Sequence, residues 1–150
     1  MYLSKNFTFD EFFRSETADR LGIDNSTDKA LILNNIKDLV YNILQPLRNY
    51  LKCPIHINSG YRCIKLNNAL GSKPTSQHCL GQAADIRVKG MTPKEVAIAI
   101  LELGLPYDQL GLYDTFVHVS ISDKDRRQIF YDKSYKGTKL QYKEQSLFEF

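Results

Sequence analysis

The chain has 150 residues, which is enough for one domain with a substantial core. With 43% hydrophobic and 25% charged residues it has the composition of a globular protein, and no run approaches the roughly 18 apolar residues of a membrane span. The net charge of +3 comes from scattered basic residues without a long run, so a nucleic-acid partner is not indicated.

The N-terminal residues and the cysteines indicate where the protein is made and whether its thiols are reduced. Residues 1–7 contain no apolar signal core, so we expect synthesis in the cytoplasm without a signal peptide. The three cysteines, Cys53, Cys63 and Cys79, are an odd number and imply no complete disulfide framework. We interpret them as small, partly buried thiols in a reducing compartment.

The first third of the chain is predicted to be helical. Thr8 and Glu11 form a capping-box pattern for a short helix, and a further helical turn follows between Ser15 and Gly22. Residues 25–28 are predicted to cap a long helix from about Lys29 to Leu51. Its leucine-rich stripe has a helical period, which favours a core face over an oligomer zipper, and Pro46 should kink or interrupt it.

The rest of the chain alternates short strands and helices. Thr92, Pro93 and Glu95 are a strong helix start, and Gly104 is a typical helix end. Residues 133–150 show weak patterning and could be a flexible tail, an added strand or a strap over the sheet. The other predictions are strands at 54–58, 83–88 and 127–131, a helix at 63–70, and an antiparallel pair formed by 109–113 and 116–122.

Two histidines and one aspartate form a candidate metal site. His78 and Asp85 lie seven residues apart, with Gly81 and small residues between them, which suits a turn followed by a strand. His118 lies in an alternating segment whose valines point to the core, so the histidine face can line a cleft. Two imidazoles and a carboxylate are a suitable ligand set for a catalytic zinc that keeps one position for water. Each of these residues alone is more often a surface, turn or hydrogen-bonded residue.

The pattern Ser76, His78, Gly81, Ala83 and Asp85, followed by the strand histidine His118, resembles the zinc D-alanyl-D-alanine carboxypeptidase family, which includes phage endolysins. The segment 58–62, Asn-Ser-Gly-Tyr-Arg, is similar to the Ser-Gly-Tyr-Arg element that precedes the first zinc ligand in that family, and Asn67 fits the helix after it. The resemblance covers roughly residues 5–122. It implies an α+β domain of the hedgehog/D-Ala-D-Ala peptidase type, with a small antiparallel sheet, helices on one side and the zinc cleft on the other.

The resemblance also implies roles for single residues. His78, Asp85 and His118 would bind one Zn²⁺, and Arg62 would hold the substrate or stabilise the oxyanion; its alternative is a surface salt bridge. Ser76 and Gln82 are candidate substrate contacts, and Ser76 is also expected to orient the ligand loop. Cys79 adjoins His78 and is not expected to be a fourth ligand, while the third histidine, His56, is expected to be structural or exposed.

The general base departs from the family pattern. Many relatives carry an acid three residues before the last histidine, and that position is Thr115 here. The neighbouring Asp114 is our candidate, and Asp108 is the reserve, with capping of the strand entry as its alternative role.

The sequence is compatible with three functions. The first is a zinc peptidase acting on peptidoglycan stem peptides, as a carboxypeptidase or an endolysin, at the cell wall after lysis or export. The second is a non-catalytic wall-binding or virion module of the same fold, which the missing acid at Thr115 favours. The third is a zinc hydrolase of another small peptide. We expect a monomer, with the peptidase domain at 1–132 and a C-terminal tail of unknown role at 133–150.

Overall fold

The computed structural model of the chain describes residues 3–141. It shows an α+β domain in which a five-stranded sheet is covered by helices on one face. The helices are α1 Phe9–Phe13, α2 Glu16–Leu21, α3 Ala30–Leu39, α4 Gln45–Leu51, α5 Ile64–Ala69 and α6 Pro93–Glu102, with a π-helical segment Val40–Leu44 and a 3₁₀ helix Gln77–Leu80. The strands are β1 Ile55–Ser59, β2 Ala83–Val88, β3 Gln109–Leu112, β4 Val117–Ser120 and β5 Gln128–Tyr131.

The sheet order is β1-β2-β4-β3-β5. All neighbours pair antiparallel except β3 and β5, which run parallel, so the predicted antiparallel sheet is confirmed for all but its last strand. No membrane-crossing helix is found between residues 3 and 141, since none there is both long and apolar enough.

The core lies between the sheet and the long helical segment. The buried face of that segment contributes Ile36, Leu39, Ile43 and Leu47, each with no exposed surface, which confirms the leucine-rich stripe as core. The segment is interrupted as predicted ahead of Pro46, where the amide of Gln45 bonds to the carbonyl of Val40. Proline has no N–H and crowds the carbonyl four residues earlier, so a wider turn before it relieves both problems.

The predicted cap at residues 25–28 is wrong. Helix α3 begins after Lys29, which makes no side-chain capping bond. Asn25 is buried instead, where its amide donates to the carbonyls of Phe13 and Tyr61 and its oxygen accepts from the amide of Cys63. We call these three hydrogen bonds the Asn25 clamp. They use the side chain that the local sequence predicts as a helix cap.

Residues 133–141 pack against the domain. Leu140 is buried in the core, its amide donates to the hydroxyl of Tyr131, and Lys94 bonds to the hydroxyl of Thr138. This part of the predicted tail is therefore a strap, while residues 142–150 lie outside the described residues.

Candidate metal centre

The three predicted ligands meet at one place on the uncovered face of the sheet. One ligand atom from each of His78, Asp85 and His118 lies within 4.8 Å of the others. His118 Nδ1 is 2.9 Å and His78 Nε2 is 3.3 Å from Asp85 Oδ1. His78 and Asp85 are buried, and His118 is partly exposed.

Strand pairing brings Asp85 and His118 together. They are directly opposite in the β2–β4 pair, so their side chains lie on the same face. The row continues across the sheet, because Ser59 is opposite Asp85 and Gly111 is opposite His118. The alternation predicted for β4 is confirmed, since Val117 and Val119 are fully buried on the other face.

His78 comes from the 3₁₀ helix that precedes β2. Ser76 starts this helix, and its hydroxyl accepts a hydrogen bond from the amide of His78 at 3.2 Å, so the loop-orienting role expected for Ser76 is present. Gly81 ends the helix at φ +74°, where a Cβ would lie 2.8 Å from the carbonyl oxygen of Ile32. Only glycine fits such a left-handed position against another backbone without strain.

The tautomer of His78 is fixed by its neighbour. Its Nδ1 is 2.7 Å from the carbonyl oxygen of Gly60, which can only accept, so Nδ1 carries the proton. Nε2 is then left with its lone pair and faces Asp85. Metal-binding histidines are commonly oriented by a carbonyl in this way.

The charge state of Asp85 also suits a cation. Burial alone would raise the pKa of this carboxyl, but the adjacent imidazoles, His78 first and then His118, favour its ionised form more strongly. The pKa of Asp85 therefore lies well below its ordinary value. Two imidazoles and an ionised carboxylate match the nitrogen and oxygen ligands that zinc accepts, so the residues fit the expected ion.

Arg62 closes one side of the site. Its guanidinium donates to Ser59 Oγ, Ser72 Oγ and Asp85 Oδ2 at 3.0, 3.2 and 3.5 Å. Its side chain is 13% exposed and borders the cleft, so it is held at the site and is not a free surface residue. The Asn25 clamp on the backbone around Tyr61 fixes the loop that presents Arg62.

The cleft beside the site is wide, about 1140 Å³. Ser76, predicted as a substrate contact, is among its lining residues. Gln82 is placed elsewhere, in a separate cleft with Asn35 and Asp123, so it does not face the metal centre. Sequence reasoning missed Tyr113 and Asp132, which both line the metal cleft, because neither belongs to a recognisable spaced motif.

The two candidate bases differ in their surroundings. Asp108 is fully buried and accepts bonds from the side chains of Gln77 and Ser122 and from the amide and guanidinium of Arg126. These bonds, led by those from Arg126, hold the pKa of Asp108 well below its ordinary value. Asp114 lies exposed at the β3–β4 turn, where its amide donates to Ser134 Oγ, and it is not among the cleft-lining residues described.

The other polar residues near the motif stand apart from the metal centre. Burial raises the pKa of the Cys79 thiol, and Cys79 does not belong to the ligand group, in line with its expected exclusion. His56 is exposed on the edge strand β1, as expected.

Comparison with known proteins agrees with this geometry. A family model described as peptidase M15 matches residues 5–120, most of the chain, and this range contains all three ligands and Arg62. A search of curated proteins found no match. The M15 peptidases are the zinc D-Ala-D-Ala carboxypeptidase family, and the match over most of the length together with the convergent histidines and aspartate shows that this chain belongs to it.

Proposed function

We propose that the protein is a zinc metallopeptidase that cleaves peptidoglycan stem peptides, as a carboxypeptidase or an endopeptidase. The observation that carries the proposal is the convergence of His78, Asp85 and His118 within 4.8 Å at the edge of an open cleft in an M15 peptidase domain. We further propose that it acts as a monomer at the cell wall, reached after lysis or export.

The chemistry divides between the ion and the chain. A zinc ion held by His78, Asp85 and His118 would supply a Lewis acid and lower the pKa of water towards neutrality. Arg62 would orient the peptide beside these ligands, since its guanidinium is fixed by Ser59 and Ser72. Among the residues that the structure describes, three of its five N–H groups have hydrogen-bond partners, and the other two would contact the substrate.

A group must also carry the proton from water to the leaving amine. Asp114 remains our proposal, because it adjoins the position of the family acid, and the hydrogen bonds of a general base often tighten only when substrate binds. Asp132 is its rival, because it lines the cleft. Asp108 is the weaker candidate, since its bonds to Arg126, Gln77 and Ser122 tie down both of its oxygens.

The charge around the cleft supports an anionic substrate. Its rim includes the exposed Lys73, Lys124 and Lys133, while Asp132 is the one carboxylate besides Asp85 among the described lining residues. Positive clefts concentrate anionic ligands. Stem peptides carry free carboxylates, so they fit this rim better than a neutral or basic peptide.

The test is cleavage of purified muropeptides by protein freed of metal with a chelator and then reloaded with zinc. We expect no cleavage without metal, cleavage after addition of zinc, and none with zinc-loaded His118→Ala. The exposed histidine variant His56→Ala is the matched control and should behave as wild type. If zinc-loaded wild type cuts no stem peptide or cross-link, the proposal is contradicted.

A second candidate is a non-catalytic module that binds the wall or forms part of a virion. The observation in its favour is Thr115 in place of the family acid, together with the exposed position of Asp114 outside the cleft lining. Binding to isolated cell walls that persists in Asp114→Ala, with no cleavage by wild type, would favour this candidate.

A further inference from the structure

Tyr113 has a fixed ring and an unengaged hydroxyl at the metal cleft. Its ring stacks on Phe116 at 4.4 Å between centroids and meets the edge of Phe130 at 6.2 Å. Within residues 3–141 its hydroxyl makes no hydrogen bond to another protein group. Half-buried tyrosines usually place the hydroxyl on a partner, so this one is available to a ligand in the cleft.

Strand register places Tyr113 beside the ligand row. Gly111 is directly opposite His118, and Tyr113 lies two residues beyond it, therefore on the same face of the sheet. The amide of Tyr113 bonds to the carbonyl of Phe116, which continues the pairing of β3 with β4. Tyr113 is thus two residue pairs along the strands from the Gly111–His118 pair, which is the next pair on the same face.

Gly111 makes room for the aromatic group that holds Tyr113. A Cβ at Gly111 would overlap the ring of Phe130, which lies over this position and reaches His118 at 6.0 Å between ring centroids. Phe130 therefore contacts both the His118 ligand and the Tyr113 ring. This packing restricts the ring of Tyr113 without engaging its hydroxyl.

The surroundings keep the phenol protonated. Burial raises the pKa of Tyr113 above the ordinary phenol value of about 10, so the hydroxyl is protonated near neutral pH. A neutral phenol is a hydrogen-bond donor, which is what a carbonyl oxygen gaining negative charge requires.

We propose that Tyr113 is a catalytic residue that donates a hydrogen bond to the carbonyl oxygen of the scissile peptide as water adds to its carbon. The inference rests on the proposed peptidase function. During the step the water oxygen–carbon bond forms, the carbon–nitrogen bond then breaks, and the proton released by water passes to the leaving amine. Tyr113 keeps its own proton throughout, and its contribution is the hydrogen bond that strengthens as charge develops on the oxygen.

The test is Tyr113→Phe in the full-length protein loaded with zinc, since phenylalanine keeps the ring packing and removes only the hydroxyl. Loss of one oxyanion donor should lower kcat about 100- to 1000-fold with little change in KM. Affinity for a phosphinic D-Ala-D-Ala analogue, whose tetrahedral phosphorus replaces the scissile carbon, should fall by a similar factor. Zinc affinity and thermal unfolding should stay at the wild-type values.

Tyr50→Phe is the matched control, because its hydroxyl bonds to Glu102 on the surface. It should leave kcat and analogue affinity unchanged. Equal affinity of wild type and Tyr113→Phe for the phosphinic analogue would overturn the inference, as would a raised KM with unchanged kcat. Should wild type cleave no peptide, the peptidase proposal fails separately. Weaker binding of the phosphinic analogue by Tyr113→Phe than by wild type would still support the hydrogen bond from Tyr113. Failure of wild type to bind the analogue would overturn the inference.

Discussion

Nδ1 of His118 lies 2.9 Å from Oδ1 of Asp85, although 33 residues separate them in the chain. The contact follows from the β2–β4 register, in which the two residues are directly opposite. Pairs in this position share one face of a sheet. A slip of one residue would turn one of the two side chains into the core, so sheet register itself determines the metal site.

Replacing His118 by alanine should abolish tight zinc binding. Two ligands would remain, and loss even of an outer-shell partner typically costs 10- to 100-fold in affinity, so we expect more than about 100-fold here. Titration calorimetry of chelator-treated protein measures the change. His56→Ala removes an exposed histidine far along β1 and should bind zinc as wild type does; an equal loss in both variants would contradict the assignment.

Gly81→Ala should destabilise the domain and weaken zinc binding together. The left-handed backbone costs roughly 1–2 kcal/mol for alanine, and the Cβ would press on the Ile32 carbonyl at 2.8 Å, displacing the helix that carries His78. Gly104→Ala is the control, because its φ of +62° is similar but no atom lies within 4 Å of its Cβ. Gly104→Ala should lower the free energy of unfolding, measured with urea, only by the cost of the left-handed backbone, and its zinc affinity should be that of wild type. Equal effects of the two substitutions would show that the contact with Ile32 is unimportant.

Asp108→Asn should lower stability by about 1.5–3 kcal/mol at pH 7, because it weakens the hydrogen bonds that this buried carboxylate accepts from the solvent-exposed Arg126 and its neighbours. The lowered pKa of Asp108 gives the sign of the pH dependence. Its contribution is complete above the ordinary carboxyl pKa of about 4 and is lost as the pH falls, so the gap between wild type and variant should narrow below about pH 5. Asp125→Asn, which breaks an exposed pair with Arg127, should cost less than about 1 kcal/mol. A gap that stays constant from pH 7 to pH 2 would argue against this role of Asp108.

Asp114→Asn tests the proposed general base. Loss of a general base typically lowers the rate 100- to 10,000-fold, and we expect kcat for muropeptide cleavage to fall in this range with zinc affinity unchanged. Asp132→Asn is the parallel variant, since both acids lie near the β3–β5 edge but only Asp132 lines the cleft. A loss confined to Asp132→Asn would transfer the role to that residue.

Local signals in the sequence predicted the local structure well. The capping boxes at Thr8 and Thr92 are present, because both partners of each box lie within four residues of chain. The alternation around His118 correctly predicted which face of β4 is buried. Gly81 correctly predicted the turn before β2. The convergence of the ligands was inferred from a family resemblance, and the family match and the geometry both support it.

What the sequence did not reveal depends on distant partners. The local sequence predicts Asn25 as a helix cap, but its side chain forms hydrogen bonds with the backbone of Tyr61 and Cys63, which are distant in the chain. The local sequence predicts Asp108 as a strand-entry cap or a reserve base. In the structure its carboxylate accepts hydrogen bonds from Arg126, eighteen positions later in the chain. The parallel pairing of β5, which sets Asp132 beside Tyr113, depends on sheet order, and no local pattern encodes that order.

Anomalous diffraction at the zinc edge, from crystals of the zinc-loaded protein, tests whether His78, Asp85 and His118 bind the ion. We expect one zinc peak per chain, in contact with the side chains of these three residues. A peak elsewhere, or full zinc occupancy without contact to Asp85, would contradict this assignment.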